Sequence, residues 1–268
     1  MTIIGKQIDV LDHGFIRVID TMGDDGAVVQ AARVSYGKGT KTVNEDAGLI
    51  NYLVRHYHST PFEMATIKLH IKLPIFVARQ WMRHRTGSFN EVSARYSEVQ
   101  ECFYLPDIEN IKSQSGTNKQ GSGEPLETEH AKSIRNKFCV LGYDSHQDYK
   151  NFLASTVARE TARIVLPLST YTEFYWQVNL HNFMHFLRLR ADSHAQYEIR
   201  VYAEALLELF KKWCPLTYAA FMEYRIGAVN VSRTGVGLIK QMLAGKKVGK
   251  PDTMSKKEWN DFQKMWVT

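Results

Sequence analysis

Apolar and polar residues alternate most cleanly between Thr66 and Pro74. Ile67, Leu69, Ile71 and Leu73 share one face, and Thr66, Lys68, His70 and Lys72 share the other. A period of two is that of a half-buried strand. The alternation returns over Thr170–Leu180, with Thr172, Phe174, Trp176, Val178 and Leu180 opposite Tyr171, Glu173, Tyr175, Gln177 and Asn179. Helical spacing appears between and beyond these strands. Asn44-Glu45-Asp46 puts acids in the first turn of a segment with Leu49, Leu53 and Tyr57 four apart, which must stop before Pro61. Pro74 suits the first position of a helix from Ile75 to about His84, and Arg85 to Asn90 reads as a turn or loop. Residues 107–129 are poor in apolar groups and predict a long surface loop. A helix is expected over Ser145–Val165, and a short one from His181 to Arg190. Ser193-His194-Ala195-Gln196 has the form of a capping box, and predicts a long helix with Ile199, Ala203, Leu206 and Phe210 inward. Helices and strands mix without a βαβ rhythm. The expected fold is α+β, a mixed sheet packed with helices, in one domain over 1–228 with a basic tail over 229–268. Within that tail, Ser255-Lys256-Lys257-Glu258 precedes Trp259, Phe262 and Trp266 and predicts a short amphipathic helix.

Composition narrows the class. The 268 residues are 44% hydrophobic and 23% charged, an ordinary globular balance. No apolar run approaches the ~20 residues that cross a bilayer, and the first nine residues carry no apolar signal-peptide core, so no membrane partner and a cytoplasmic location are expected. Cys102, Cys139 and Cys214 lie far apart with no CxxC spacing, which argues against a disulfide framework and a cysteine zinc site. The net charge is +6, but residues 229–268 hold eight Lys and Arg against three acids, so the tail carries +5 and the body +1. A nearly neutral body argues against a nucleic-acid partner.

Several chemistries are missing. No G-x-G-x-x-G or G-x-S-x-G occurs, and Gly37-Lys38-Gly39-Thr40 lacks the first glycine of a phosphate loop. His181 and His185 have the spacing of zinc ligands, but Asn182 stands where a zinc protease needs glutamate, and no metal is expected. What the chain does have is clustered arginine and histidine: Arg83-His84-Arg85 beside Gln80, Arg95 across a loop, Arg159 and Arg163 on one helix face, and Arg188, Arg190 and His194 near a helix start. Several of these abut apolar residues. A half-buried guanidinium needs a partner, either a carboxylate of the protein or a bidentate phosphate. Clusters on separate elements point to a ligand with several anionic groups.

Arg83-His84-Arg85, seven residues, then Ser93 spells R-H-R-x7-S, and this resembles the signature of the flavin-dependent thymidylate synthases. Thr60-Pro61-Phe62-Glu63, Phe76 to Trp81, Asn90 to Ser97, Ala162 to Pro167 and Leu189 to Gln196 resemble the same family, in the right order, over roughly Ile8 to Tyr224. The resemblance implies a homotetramer with active sites at subunit interfaces. It implies reductive methylation of dUMP to dTMP, with FAD bound, NADPH as reductant and 5,10-methylenetetrahydrofolate as methylene donor. It also implies that no cysteine attacks the uracil, and none of the three cysteines sits in a matching block. By the same resemblance, Thr60, Arg83, His84, Arg85, Glu91, Asn179, Leu180, His181 and His185 are FAD contacts, His185 standing where relatives often carry asparagine. Gln80, Trp81, Met82, Arg83, Glu91, Val92, Ser93, Ala94, Arg95, Arg163 and Arg190 match the nucleotide site, with Arg190 the catalytic arginine. Backbone N–H groups of Val92 and Ala94 are expected to hold phosphate, and Ser93 to hydrogen-bond the nucleotide rather than act as a nucleophile.

Overall fold

The computed structural model describes residues 3–34, 43–116 and 121–266; Gly37-Lys38-Gly39-Thr40 and the side chains of Asn44 and Glu45 lie outside what it describes. Among the described residues there are seven strands and ten α-helices; the strands run β1 Gln7–Val10, β2 Gly14–Met22, β3 Thr66–Pro74, β4 Ser88–Glu91, β5 Lys112–Gln114, β6 Ser122–Pro125 and β7 Tyr171–Asn179. The helices run α1 Asp25–Arg33, α2 Val43–Arg55, α3 Ile75–Trp81, α4 Thr128–Ala154, α5 Arg159–Ala162, α6 Leu180–Arg190, α7 Tyr197–Trp213, α8 Pro215–Phe221, α9 Arg233–Leu243 and α10 Lys256–Trp266. The chain divides into two compact units, Met1–Ile226 and Gly227–Thr268.

The larger unit is α+β. Its main sheet has the order β1-β2-β3-β7-β4, antiparallel at every pairing rather than mixed. The two strongest alternating segments pair along their whole length, Thr66 opposite Asn179 and Pro74 opposite Tyr171. Ile67, Leu69, Ile71, Leu73, Phe174, Trp176 and Val178 therefore share one face, and all are buried. Helices α3, α6 and α7 cover that face. Trp81 of α3 sits edge-on to Trp176 at 5.3 Å and against Phe186 of α6 at 4.4 Å. These aromatic contacts fix where the chain after Trp81 emerges, beside α6.

Six expectations are corrected by tertiary effects. Ser88–Glu91 is a strand, not a turn, because it pairs with Phe174–Gln177 as the sheet edge. Helix α3 ends at Trp81, not His84, and the His84 N–H bonds back to the Trp81 carbonyl. The helix expected over Ser145–Val165 starts at Thr128 and ends at Ala154; Thr156 then takes φ +64, and α5 and a short 3₁₀ turn follow. Ser193 does not cap α7. Asp192 takes the His194 N–H at 2.8 Å, which makes Ser193–Ala195 a turn, and the helix starts at Tyr197. In α2 the inward residues are Ile50, Leu53 and Val54, while Tyr57 is 70% exposed beyond the helix end. The expected surface loop contains the β5–β6 hairpin.

The smaller unit has its own core of Leu238, Met254 and Phe262. Its capping box forms: Ser255 Oγ accepts from the Glu258 N–H at 3.1 Å at the start of α10. Glu258 does not return the bond to Ser255. It accepts instead from Ser232 Oγ at 3.0 Å, tying α10 to the start of α9.

Candidate active site

The centre of the candidate site is Arg190, the last residue of α6. Its Nε donates to His84 Nε2 at 3.0 Å and its Nη2 donates to the Gln80 carbonyl at 3.1 Å. Guanidinium has no acceptor, so His84 Nε2 is unprotonated and the imidazole is neutral. Burial is the main reason that the His84 pKa falls to about 4, with Arg190 and then His185 adding repulsion. The His84 ring lies edge-on to Phe186 at 4.8 Å and to His185 at 5.9 Å. Residues far apart in sequence, Gln80, His84, His185 and Arg190, thus form one cluster. Arg83 and Arg85 flank it as exposed side chains, while Trp81 is fully buried in the core, a support rather than a contact surface. Met82 is half-buried against that core.

Beside this cluster is a cleft of about 250 Å³ whose lining includes His181, His185 and Arg188 of α6, His58, Arg225, and apolar Leu53, Met184 and Phe221. Burial lowers the His185 pKa, assisted by Arg188 and His181. Arg225 lies over the Tyr57 ring at 3.7 Å and donates to the Val54 carbonyl. The cleft combines ring-stacking, apolar and cationic groups, which fits a flavin nucleotide. Its volume is below the ~300–1,000 Å³ of ligand pockets. Asn179 caps α6, its Oδ1 accepting from the Asn182 N–H at 2.9 Å, and Leu180 is fully buried. Thr60 lines a neighbouring groove of about 890 Å³ with His58 and Pro61.

The second group of expected nucleotide residues lies elsewhere. Glu91, Val92, Ser93, Ala94 and Arg163 line a cleft of about 400 Å³ with Lys72, Cys102 and Tyr171–Glu173. Glu91 accepts from Thr172 Oγ1 at 2.6 Å. The Val92 N–H is not available to a phosphate, because it bonds the Glu173 carbonyl at 2.9 Å and extends the β4 pairing. The Ala94 N–H has no such partner among the described residues. Ser93 Oγ accepts from the Arg95 N–H at 3.3 Å, and the Arg95 side chain is held out by Glu160 at 3.1 Å. The cleft sits at the Tyr171 end of β7, and the α6 cleft at its Asn179 end. Glu173 and Asn179 are roughly 20 Å apart at ~3.3 Å per residue. The two clefts share no residue.

Two features were not legible in the sequence. Cys102, outside every matching block, lines the second cleft. Burial raises its pKa, outweighing Lys72, so it remains a thiol. A chain of hydrogen bonds also runs back from Gln80. Gln80 Nε2 donates to Gln196 Oε1 at 2.5 Å, Gln196 Nε2 donates to Glu198 Oε2 at 2.8 Å, and Tyr104 Oη donates to Glu198 Oε1 at 3.3 Å. No helix among the described residues is long and apolar enough to cross a membrane.

Residues 17–216 match the family described as thymidylate synthase complementing protein. A flavin-dependent thymidylate synthase from Rickettsia bellii is 56% identical over 98% of this chain and 94% of its own length. One from Ehrlichia ruminantium is 53% identical over 97% and 88%. Among solved structures, a UMP/dUMP methylase from Streptomyces cacaoi, bound with 5-Br dUMP, superposes with a TM-score of 0.74 at 34% identity, over 81% of this chain and 98% of that one. These matches define the class as a flavin-dependent, nucleotide-methylating enzyme. The chain belongs to the flavin-dependent thymidylate synthase family.

Proposed function

We propose that the chain converts dUMP to dTMP by reductive methylation, with FAD bound, NADPH as reductant, 5,10-methylenetetrahydrofolate as methylene donor, and no cysteine nucleophile. The observation that carries this reading is the Arg190 cluster. Neutral His84 and the Gln80 carbonyl hold the guanidinium in one orientation and leave Nη1 free. Uracil is a poor carbon nucleophile while its ring is neutral. A fixed guanidinium at the pyrimidine oxygens favours negative charge on the ring and so promotes attack from C5. FAD, when bound, would supply the hydride that completes the methyl group; His58, His181, His185, Arg188 and Arg225 are the groups that would hold it, beside Arg83, His84 and Arg85. Arg163, Ser93 and the Ala94 N–H would take the dUMP phosphate. The raised pKa of Cys102 supports a reaction without a thiolate, since the thiol is the weaker nucleophile.

The separation of the two clefts, which share no residue, supports a homotetramer in which one chain gives Arg190, Gln80 and Arg83 and another gives Ser93, Ala94 and Arg163. Helix α4 is consistent with assembly, since helical spacing puts its exposed Phe138, Leu141 and Phe152 on one face. The test is tritium release from C5-labelled dUMP. Release is expected only with FAD, NADPH and methylenetetrahydrofolate all present, and should persist in Cys102→Ser. Loss of release in a folded, flavin-loaded Cys102→Ser enzyme would return the reaction to thiolate chemistry.

A further inference from the structure

We propose that Glu198 and Gln196 are positioning residues that hold the Gln80 amide with its oxygen toward the substrate, so that the site reads the N3–H of uracil and rejects cytosine. The proposal rests on the reading above, in which Gln80 belongs to the nucleotide site, and adds that its amide faces the pyrimidine. Direction in this chain is set from its far end. A carboxylate only accepts. Glu198 accepts from Tyr104 Oη at 3.3 Å and from Gln196 at 2.8 Å, and Tyr104 is kept protonated by burial and by Glu198 itself. Gln196 must therefore give its NH2 to Glu198 and offer its oxygen to Gln80. Gln80 must give its NH2 to Gln196, at 2.5 Å. The one orientation left for Gln80 presents Oε1 as the free acceptor. Without an acceptor-only anchor, both amides could turn over together, and Gln80 would then offer NH2.

Uracil has a donor at N3, and cytosine has an acceptor there with a donor at its 4-position. An Oε1 fixed toward the ring pairs with uracil and leaves cytosine with two acceptors facing each other, a mismatch that leaves both without a donor. Arg190, a donor-only group, favours the uracil 4-oxygen independently of this chain, and it is unchanged in the variants below. A shift in base preference among them therefore reports Gln80.

The experiment measures binding of dUMP and dCMP to the flavin-loaded enzyme, with Gln80→Ala, Glu198→Gln, Gln196→Met and the double exchange Gln196→Glu with Glu198→Gln. Gln80→Ala should weaken dUMP binding; no change there would overturn the reading that Gln80 meets the base. Glu198→Gln and Gln196→Met should each shift the dUMP-over-dCMP preference toward dCMP by roughly ten-fold, with flavin content unaltered. The double exchange moves the acceptor-only group next to Gln80 and should restore the wild-type preference, which a merely structural role would not do. A weakened Gln80→Ala with an unchanged preference in Glu198→Gln and Gln196→Met would overturn the proposal while leaving the dUMP site standing.

Discussion

Arg190 and His84 illustrate how one contact fixes a protonation state. Because Nε of Arg190 donates to His84 Nε2, a protonated His84 would lose an acceptor and face a like charge. The folded pKa of about 4 lies below the ordinary 6.5. Between those values the unfolded chain binds the proton and the folded chain does not. Stability from this residue is thus full above pH 6.5 and is lost as the pH falls toward 4. Replacing His84 by Asn should flatten the slope of urea stability against pH in that window; an unaltered slope would detach His84 from the acid sensitivity. Arg190→Lys keeps the charge and loses the planar fork. It should retain flavin while turnover falls on the order of 10²–10³, and near-wild-type turnover would remove Arg190 from the chemistry. These residues were legible because a charged triplet embedded beside Trp81 and Met82 demands partners. The Gln80–Gln196–Glu198 chain was not. Its local spelling reads as a helix cap, and only the turn closed by the His194 N–H on Asp192 shows that Gln196 and Glu198 are placed to face Gln80.

At the scale of elements, period-two alternation read β3 and β7 almost to their ends, because both present one buried face along their whole length. Ser88–Glu91 carries a single half-buried apolar residue, Phe89, and as an edge strand it is defined by its partner rather than by its own pattern. The start of α8 is another long-range effect. Asp25, at the first turn of α1, accepts from the Leu216 N–H at 2.7 Å, the Thr217 N–H at 2.9 Å and Thr217 Oγ1 at 2.6 Å. It caps a helix nearly the whole unit away in sequence, at a position only 9% exposed. Asp25→Ala strands those buried donors and should cost about 1–3 kcal/mol. Equilibrium unfolding in urea measures this directly, and a loss below a few tenths of a kcal/mol would mean water replaces the carboxylate. Asp25→Asn, which keeps one acceptor oxygen, should recover part of the loss.

At the scale of the whole molecule, the decisive relation is between the two ends of β7. Arg190 ends α6 against His84 and Gln80, whereas Arg163 lines the separate cleft at the Tyr171 end of β7; spacing along the chain does not reveal this division, because both arginines belong to one set of matching blocks. If each active site draws Arg190 from one chain and Arg163 from another, the two defects are separable by mixing. Arg190→Ala and Arg163→Ala enzymes should each be nearly inactive alone. Co-expressed and assembled at random, they should regain activity, because about one quarter of shared sites would then receive both wild-type arginines. A site contained in one chain predicts no recovery, since every chain in the mixture carries one defect. Recovery that rises with the fraction of mixed oligomers, resolved by separately tagged chains, therefore tests the shared site without a structure of the assembly. Activity in mixed oligomers that stays at the level of the separate variants would place both arginines in one chain's site.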